Sequence, residues 1–256
     1  MHPGSPSGGD SGITMMGVPA EISGFVLAGG RSSRLGRDKA LLPWPPNAFA
    51  EDDSQTLLQH SIARLQSVCT TVSICANRND FPFAGAVIPD ALPASGPLGG
   101  IVAALDYSTT DWNLMLAVDL PFLPVEVLQA LAAYARPREE TFVTSPASSL
   151  QTVACILPML DGLPQPLCGL YHRALAPGLR AALEAGRFKV MAALRQACDQ
   201  VSADLEIQCA SRRLRIDLWD AAAFAATLPS APDPNEWFLN INTPEDWQQA
   251  RQLRCR

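Results

Sequence analysis

The sequence has little positive charge for its size. Nineteen lysines and arginines are outnumbered by 25 aspartates and glutamates, which gives a formal net charge of −6 at pH 7. A protein that holds a nucleic-acid backbone usually presents a broad cationic surface. We therefore expect no nucleic-acid partner.

Long apolar runs are also missing. The longest apolar stretches, such as residues 113–118, are far shorter than the roughly 20 residues that cross a bilayer. We therefore expect no membrane association.

Cysteine and histidine occur in no metal-binding or disulfide pattern. The seven cysteines are scattered without a CxxC pair, and an odd number in a chain of this length indicates reduced, mostly buried thiols in a cytoplasmic protein. The three histidines, at positions 2, 60 and 172, are too dispersed to predict a metal cluster. His60, on a predicted helix, is expected to be structural or exposed.

The composition predicts one domain preceded by a tail. A chain of 256 residues with 48% hydrophobic residues can build one large core. Residues 1–20 are rich in Gly, Ser and Pro, and such a segment buries too little apolar surface to offset its ordering entropy. We predict a disordered tail over 1–20 and a domain over 21–256. No basic segment followed by an apolar core occurs in the tail, so a secretory signal is not predicted.

Short apolar runs alternate with amphipathic segments from residue 22 onward. Strands are predicted at 22–27, 72–76, 86–88 and 114–118, and helices are predicted around 58–65, around 98–105 and after Pro124. This alternation is typical of an α/β fold with right-handed crossovers and a mainly parallel, helix-covered sheet. Ligands bind such sheets at the carboxyl ends of the strands.

The pattern is less regular beyond residue 134. Strands are predicted at 142–144, 153–157 and 167–171, helices near 175–183 and 190–197, and residues 199–228 fit neither pattern clearly. A last helix is predicted to begin at Pro244, because Thr243 is a favourable N-cap and two acids follow in the first turn. Residues 43–55 are predicted to form a surface loop.

A glycine-rich loop follows the first predicted strand in the segment FVLAGGRSSRLGRDKALL, residues 25–42. Glycines such as Gly29 and Gly30 allow the backbone N–H groups to approach phosphate oxygens closely. Arg34 and Lys39 add positive charge, which suits a triphosphate whose pyrophosphate leaves. The spacing matches neither a Walker A loop nor a GxGxxG fingerprint. The alternative is a Gly/Ser turn with solvated arginines.

Two aspartates follow predicted strands. Asp119, at the end of a buried strand, is placed to hold Mg²⁺ through its carboxylate while phosphates complete the shell. Asp90 precedes Gly96 and a helix whose first amides are free for a ligand. Its carboxylate can accept from both N1–H and N2–H₂ of guanine, which weakly favours that base. For both residues the alternative is an ordinary turn acid.

Other polar side chains are predicted to face the same cleft. Asn77 and Arg78 end a strand, and Asn240 and Asn242 are predicted to share one side of a strand. Two such amides are unfavourable in a core unless something binds them. Arg187 and Lys189 are either contacts for a second anionic substrate or a solvated helix start.

Taken together and in their order along the chain, these motifs resemble those of the MobA-like nucleotidyltransferases, specifically the molybdenum cofactor guanylyltransferases. The resemblance covers about residues 22–252. It rests on Asp90 and on segments LAGGRSSRLGRDK (27–39), GPLGGI (96–101), DLPFLP (119–124) and NINTPED (240–246).

The resemblance implies a three-layer αβα sandwich of the nucleotide-diphosphosugar transferase type, which is Rossmann-like. It implies Mg²⁺-dependent transfer of GMP from GTP to molybdopterin, with pyrophosphate released and the molybdopterin guanine dinucleotide cofactor formed. By this resemblance, residues 27–29 and Lys39 bind GTP, Asp90 contacts the nucleoside, and Asp119 binds GTP and Mg²⁺. Cofactor-insertion proteins and molybdoenzyme apoproteins are the protein partners that it suggests.

The predicted site therefore has three sets of residues. The catalytic residues are Lys39, Asp119 and Arg34, and the metal ligand is Asp119. The residues predicted to bind the nucleotide or its acceptor are Leu27, Ala28, Gly29, Gly30, Lys39, Asn77, Asp90, Gly96, Asp119, Asn240 and Asn242.

Some residues depart from the family pattern and leave alternatives open. Leu35 stands where the family usually has Met, and Cys75 stands where some members have an Asn that contacts the nucleotide. Relatives with LAAG in the first motif use CTP or other acceptors, whereas Gly29-Gly30 favours the guanylyl branch. The alternatives are a cytidylyl or sugar-phosphate nucleotidyltransferase and an inactive GTP-binding adaptor. Lys39 and Asp119 argue against the adaptor, since binding alone does not require both.

Overall fold

The strands and helices follow from a computed structural model, which describes residues 21–29, 38–45, 55–78, 80, 81, 83, 85–135, 150–208, 212–229 and 233–253. The strands are β1 (Ile22–Leu27), β2 (Pro43–Trp44), β3 (Gln55–Thr56), β4 (Thr71–Cys75), β5 (Val87–Ile88), β6 (Trp112–Ala117), β7 (Leu150–Leu160), β8 (Leu163–Pro164), β9 (Cys168–His172) and β10 (Arg212–Asp220). The α-helices are α1 (Leu57–Gln66), α2 (Pro97–Tyr107), α3 (Val125–Tyr134), α4 (Ala176–Glu184), α5 (Val190–Gln208), α6 (Ala221–Ala225), α7 (Pro234–Trp237) and α8 (Pro244–Leu253). Short 3₁₀ turns occur at Lys39–Leu41 and Arg173–Leu175.

One sheet organises the fold, in the order β10-β7-β9-β6-β1-β4-β5. Along this path β9 alone runs antiparallel to its neighbours β6 and β7, and the short β8 pairs antiparallel with β7. The parallel pairs of β1 with β4 and with β6 require crossovers, which α1 and α2 supply. The predicted α/β class with a mainly parallel sheet is confirmed.

The two faces of the sheet bury separate cores, because successive strand residues point to opposite sides. Ile22 and Val26 of β1 pack into a core shared with α1, α3 and α8. Phe25 points the other way, into a core shared with α2, α4 and α5. The helices thus cover both faces, and the three-layer αβα arrangement implied by the resemblance is confirmed.

The register of the central strands brings four chain segments to one edge of the sheet. Leu27 lies beside Cys75 of β4 and beside Ala117 of β6, and Cys75 lies beside Ile88 of β5. The residues that directly follow these four strands therefore meet at one edge. Backbone hydrogen bonds continue the pairing there, from Ala28 N–H to the Cys75 oxygen and from Val118 N–H to the Leu27 oxygen.

Most predicted elements are confirmed, and the differences have physical causes. The helix predicted over 190–197 continues to Gln208, since each added residue extends a formed helix by one hydrogen bond. Residues 212–220, which matched no pattern, form β10 at one end of the sheet. The predicted tail over 1–20 and the predicted strand at 142–144 lie outside the described residues. No helix within the described ranges has the length and apolarity needed to cross a membrane.

The surface loop predicted at 43–55 is partly wrong. Residues 43–44 pair antiparallel with residues 55–56, and Trp44 is only 1% exposed. Its ring packs edge-on against Phe122 and tilted against His60 and Trp247. A tryptophan carries enough apolar surface to draw a proline-rich segment into the core. Residues 46–54 lie outside the described residues.

The predicted strand that carries Asn240 and Asn242 is also wrong. Residues 239–242 have no regular structure, and both asparagines are exposed. Ile241 between them is buried, and its N–H donates to the backbone oxygen of Asp119 at 3.1 Å. This backbone bond ties the segment to the sheet edge, while α8 begins at Pro244 with Thr243 as N-cap, as predicted.

Two side chains of α1 fix the turn that follows β6. Arg64 is buried, and it donates to the carbonyl oxygens of Leu123 at 2.7 Å and Leu120 at 3.0 Å. One helical turn earlier, a ring nitrogen of His60 lies 3.1 Å from the oxygen of Pro121. His60 therefore has the structural role that was one of its predicted alternatives. Because these carbonyls belong to residues just after Asp119, α1 fixes the position of Asp119 at the sheet edge.

We expect Arg64→Met to destabilise the protein by about 2 kcal/mol or more, because two buried carbonyl oxygens lose a charged donor. Urea unfolding followed by circular dichroism measures the effect. Arg195→Met, at an exposed position of α5, is the matched control and should change the free energy of unfolding by less than about 0.5 kcal/mol. Equal effects of the two substitutions would contradict the buried bonding role.

Candidate functional site

A cleft of about 700 Å³ opens at the sheet edge where β1, β4 and β5 end and α2 begins. It is lined by Ala28, Gly29, Asp38, Ala76, Asn77, Arg78, Asp90, Pro93, Ala94 and Gly96. Five of these residues, Ala28, Gly29, Asn77, Asp90 and Gly96, are among those predicted from the sequence. The parallel register of the sheet thus brings them together from three separate segments.

Asn77 and Asp90 form a two-point pair on the cleft wall. The amide nitrogen Nδ2 of Asn77 donates to Asp90 Oδ2 at 2.7 Å, and the backbone N–H of Asp90 donates to Asn77 Oδ1 at 3.0 Å. A Cβ placed on Gly29 would lie 3.3 Å from Asp90 Oδ1, and one on Gly100 would lie 3.4 Å from it. The carboxylate is therefore held in one orientation, with Oδ1 directed between two glycines.

The start of α2 approaches this pair closely because it is built from glycine. A Cβ on Gly99 would lie 2.1 Å from Ser95 Oγ and 3.3 Å from Asp90 Cβ, so a side chain there has no room. Gly96 has a φ of 64°, in the left-handed region that glycine adopts readily. Pro93 and Ala94 also line the cleft, although no sequence pattern marks them. Ala94 has a φ of 60°, an uncommon backbone conformation for a residue with a side chain.

A second polar cluster lies at the same edge, where β6 ends. Lys39 Nζ lies 2.6 Å from Asp119 Oδ2, with the two side chains only 17% and 11% exposed. The same ammonium group donates to Asn242 Oδ1 at 3.2 Å. Its members are distant in the sequence, since Asp119 lies 80 positions and Asn242 lies 203 positions after Lys39. It brings together three of the predicted site residues.

The two carboxylate oxygens of Asp119 have different surroundings. Oδ2 binds Lys39, whereas Oδ1 is buried and has no hydrogen-bond partner among the residues that the structure describes. A buried carboxylate oxygen without a partner is unfavourable, and a hard divalent cation such as Mg²⁺ is one type of ligand that would satisfy it. The described residues contain no group of three or more His, Cys, Asp or Glu side chains suited to a metal. An ion on Asp119 would therefore take most of its ligands from a bound substrate or water.

Asp38 connects the cleft to Lys39. Its Oδ1 accepts from the N–H of Ala40 at 2.9 Å, which caps the 3₁₀ turn that carries Lys39. Its Oδ2 pairs with Arg78 across the cleft rim. The same aspartate thus lines the cleft and fixes the start of the lysine turn.

The remaining predicted residues have different outcomes. Leu27 ends β1, with its side chain 3.5 Å from the position of a Cβ on Gly100. Asn240 is exposed, and the described contacts do not join it to Lys39 or Asp119. Arg187 and Lys189 are exposed between α4 and α5 and are not among the residues that line the cleft. Gly30 and Arg34 lie outside the described residues.

The buried cysteine Cys75 lies beneath the Asp90 side of the cleft. Burial, together with the neighbouring Asp90 charge, raises the pKa of the Cys75 thiol to about 12. The thiol is therefore neutral at physiological pH. Within the described ranges the other cysteines are also free thiols, and all but the half-buried Cys69 are buried, as predicted.

Two solved structures share this fold over nearly the whole of their chains. The molybdopterin-guanine dinucleotide biosynthesis protein A of Archaeoglobus fulgidus superposes with a TM-score of 0.63 at 19% identity, covering 91% of this chain and 98% of that one. The 2-C-methyl-D-erythritol 4-phosphate cytidylyltransferase of Thermus thermophilus superposes with a TM-score of 0.54 at 15% identity, covering 92% and 100%. At these identities the similarity establishes the fold.

Curated relatives extend the similarity over most of the chain. The molybdenum cofactor guanylyltransferase of Rhizobium johnstonii is 29% identical over 239 residues, covering 90% of this chain and 92% of that protein. The probable molybdenum cofactor guanylyltransferase of Carboxydothermus hydrogenoformans is 25% identical over 229 residues, covering 89% and 94%. The model of the MobA-like NTP transferase domain matches residues 24–201. The chain therefore belongs to the MobA-like NTP transferase family, and the protein is a nucleotidyltransferase.

Proposed function

We propose that this protein transfers GMP from GTP to molybdopterin in the cytoplasm, releases pyrophosphate and forms the molybdopterin guanine dinucleotide cofactor. The observation that carries the proposal is the placement of two polar pairs at one sheet edge. Asn77–Asp90 lies on the cleft wall, and Lys39–Asp119 lies where β6 ends. The names of the curated relatives support the choice of nucleotide and acceptor.

Base selection is assigned to Asp90. Guanine presents two adjacent donors, N1–H and N2–H₂, which a carboxylate can accept together. Asn77 binds Oδ2 and the backbone of Asp90, and so restrains the rotation of the carboxylate. A restrained acceptor loses little conformational entropy on binding, which favours discrimination between bases.

The phosphates are assigned to the segment after β1 and to Lys39. The backbone N–H groups of Gly29 and Gly30 are the proposed phosphate donors, since the N–H of Ala28 already donates to the Cys75 oxygen, and Arg34 is a further cation. Lys39 Nζ, already at the sheet edge, neutralises charge on the leaving pyrophosphate. Asp119 Oδ1 is the proposed ligand for Mg²⁺, an ion that supplies further charge neutralisation on phosphate oxygens when bound.

The proposed reaction is an in-line displacement at the α-phosphorus of GTP. The terminal phosphate of molybdopterin attacks, and the bond to pyrophosphate breaks. A phosphate nucleophile is already anionic near neutral pH, so the chain needs no strong general base. The residues contribute by positioning the two substrates and by balancing charge. The exposed Asn240, Asn242, Arg187 and Lys189 are the candidates for holding the acceptor.

The function is tested by a nucleotide panel. Purified protein is incubated with molybdopterin-loaded carrier, Mg²⁺ and one of GTP, CTP, ATP or UTP, and pyrophosphate release is measured. We expect GTP to be turned over at least about tenfold faster than the other nucleotides. Preference for CTP would favour the cytidylyl reaction. Binding of GTP without pyrophosphate release, with any acceptor including sugar phosphates, would favour an inactive adaptor.

Asp119→Asn keeps the shape of the side chain and removes its charge. We expect kcat/KM for GTP to fall by about 10²-fold or more, because the proposed metal ligand is lost. Circular dichroism should show an unchanged fold. The control is Asp217→Asn, which neutralises the aspartate of the exposed Arg215–Asp217 pair and should leave turnover unchanged. Near-wild-type turnover by Asp119→Asn would remove this residue from the mechanism.

Asp90→Asn replaces a two-site acceptor with an amide that both donates and accepts. We expect kcat/KM for GTP to fall by roughly 10- to 100-fold, because a base donor then meets an amide N–H₂ group. Competition between GTP and ATP measures the change in preference. Asp161→Asn is the matched control, since Asp161 is exposed in the β7–β8 turn and asparagine tolerates its φ of 49°. Unaltered GTP preference in Asp90→Asn would assign base selection to other groups.

A further inference from the structure

Arg78 is held at the cleft rim by three different groups. Its Nε donates to Asp80 Oδ1 at 2.5 Å and its Nη2 donates to Asp80 Oδ2 at 2.9 Å, a two-point contact with one carboxylate. Its Nη1 pairs with Asp38 Oδ2. The guanidinium lies over the ring of Phe81, 4.8 Å from the centroid, and Phe81 is part of the core.

This arrangement differs from an ordinary surface ion pair. The Arg78 side chain is 38% exposed, and a single exposed pair contributes little because the long side chain remains free to move. Here the planar fork is fixed on one edge by Asp80 and on one face by a core aromatic ring. The hydrogen bond from Arg78 also lowers the pKa of Asp80, which keeps that carboxylate charged. The nitrogen that reaches Asp38 is therefore at a defined place.

Asp38 transmits this position to the lysine turn. Its two oxygens serve different partners, since Oδ2 faces Arg78 and Oδ1 accepts the N–H of Ala40. The backbone oxygen of Asp38 also accepts from Leu41 N–H at 3.2 Å, and the oxygen of Lys39 accepts from Leu42 N–H at 3.1 Å. Lys39 lies inside this capped turn, and its ammonium group is the one bound to Asp119.

We propose that Arg78 is a positioning residue: through Asp38 it fixes the turn that places Lys39 at Asp119. This role rests on the proposed function insofar as Lys39 acts on the leaving pyrophosphate. The same arginine directly follows Asn77 in the sequence, so β4 delivers one side chain to the base-binding pair and the next to the lysine turn. The base-binding pair and the lysine turn are thereby joined through two adjacent residues that follow β4.

The structural half of the proposal is tested without any nucleotide. Hydrogen exchange of the peptide that covers residues 38–42 is compared between wild type, Arg78→Met and Arg180→Met. The control substitution removes an arginine of similar exposure that pairs with Asp106 between α4 and α2. We expect Arg78→Met to accelerate exchange in this peptide severalfold and Arg180→Met to leave it unchanged. Unchanged exchange in Arg78→Met would overturn the proposal, whatever reaction the protein catalyses.

The catalytic half is tested by kinetics of pyrophosphate release. We expect Arg78→Met to lower kcat on the order of tenfold while the KM for GTP changes by less than about threefold, because Lys39 acts on charge that develops during the reaction. Arg78→Lys should recover part of kcat, since lysine retains the charge but lacks the fork. A KM effect with normal kcat would instead make Arg78 a direct nucleotide contact and overturn the positioning role.

A double-mutant cycle identifies the route. If Arg78 acts through Asp38, then Arg78→Met combined with Asp38→Asn should lower kcat no further than the more harmful single substitution. Additive losses would overturn the proposed route. If wild-type protein releases no pyrophosphate with any nucleotide, the proposed function fails, and the exchange experiment still decides whether Arg78 holds the lysine turn.

Discussion

The parallel pairing of β1 between β4 and β6 is the constraint on which the rest of the site depends. Because all three strands run in the same direction in fixed register, the residues after Leu27, Cys75 and Ala117 emerge together at one edge. Asn77 and Asp119 emerge at the same edge for this reason, and Asp90 joins Asn77 there because β5 pairs in parallel with β4. A shift of one residue in either pairing would exchange the two faces of a strand and bury the polar ends.

The Lys39–Asp119 pair is poorly suited to be a stabilising device. Removing two opposite charges from water has a desolvation penalty that their attraction often fails to exceed, and one buried Asp119 oxygen has no partner in the described part of the chain. The fold therefore retains a locally unfavourable arrangement at the end of a buried strand. Such features concentrate at sites that bind charged substrates, where the ligand supplies the missing interactions. Arg64 and His60 belong to the same arrangement, since they hold the turn on which this carboxylate depends.

The sequence predicts the elements of the first 134 residues well because their apolar spacing has a clear period. The strand at 22–27 and the helix around Leu58, Ile62 and Leu65 are examples, and the place of Asp119 at a strand end follows from the same pattern. Contacts between distant segments are not encoded in any local period. The hydrogen bond between Lys39 and Asn242, for example, depends on the backbone bond from Ile241 to Asp119 that holds the segment in place.

Two other features escaped the sequence patterns for related reasons. Trp44 is buried against rings from α1, from α8 and from the turn after β6. Composition alone does not show these partners, so it indicated a loop. The role of Arg64 depends on carbonyl groups 56 and 59 residues away. Side chains that bind backbone atoms leave no complementary residue type in the sequence, which is why neither a charge pattern nor a motif marks them.

The bond from Ile241 N–H to the Asp119 oxygen has a consequence for how the protein matures. The residues that line the cleft all precede position 97, whereas the asparagine that completes the lysine cluster is at position 242. A nascent chain can thus form its sheet edge and the cleft long before its charged centre is complete. Assembly of the polar centre in this way requires that residues 241 and 242 have been synthesised.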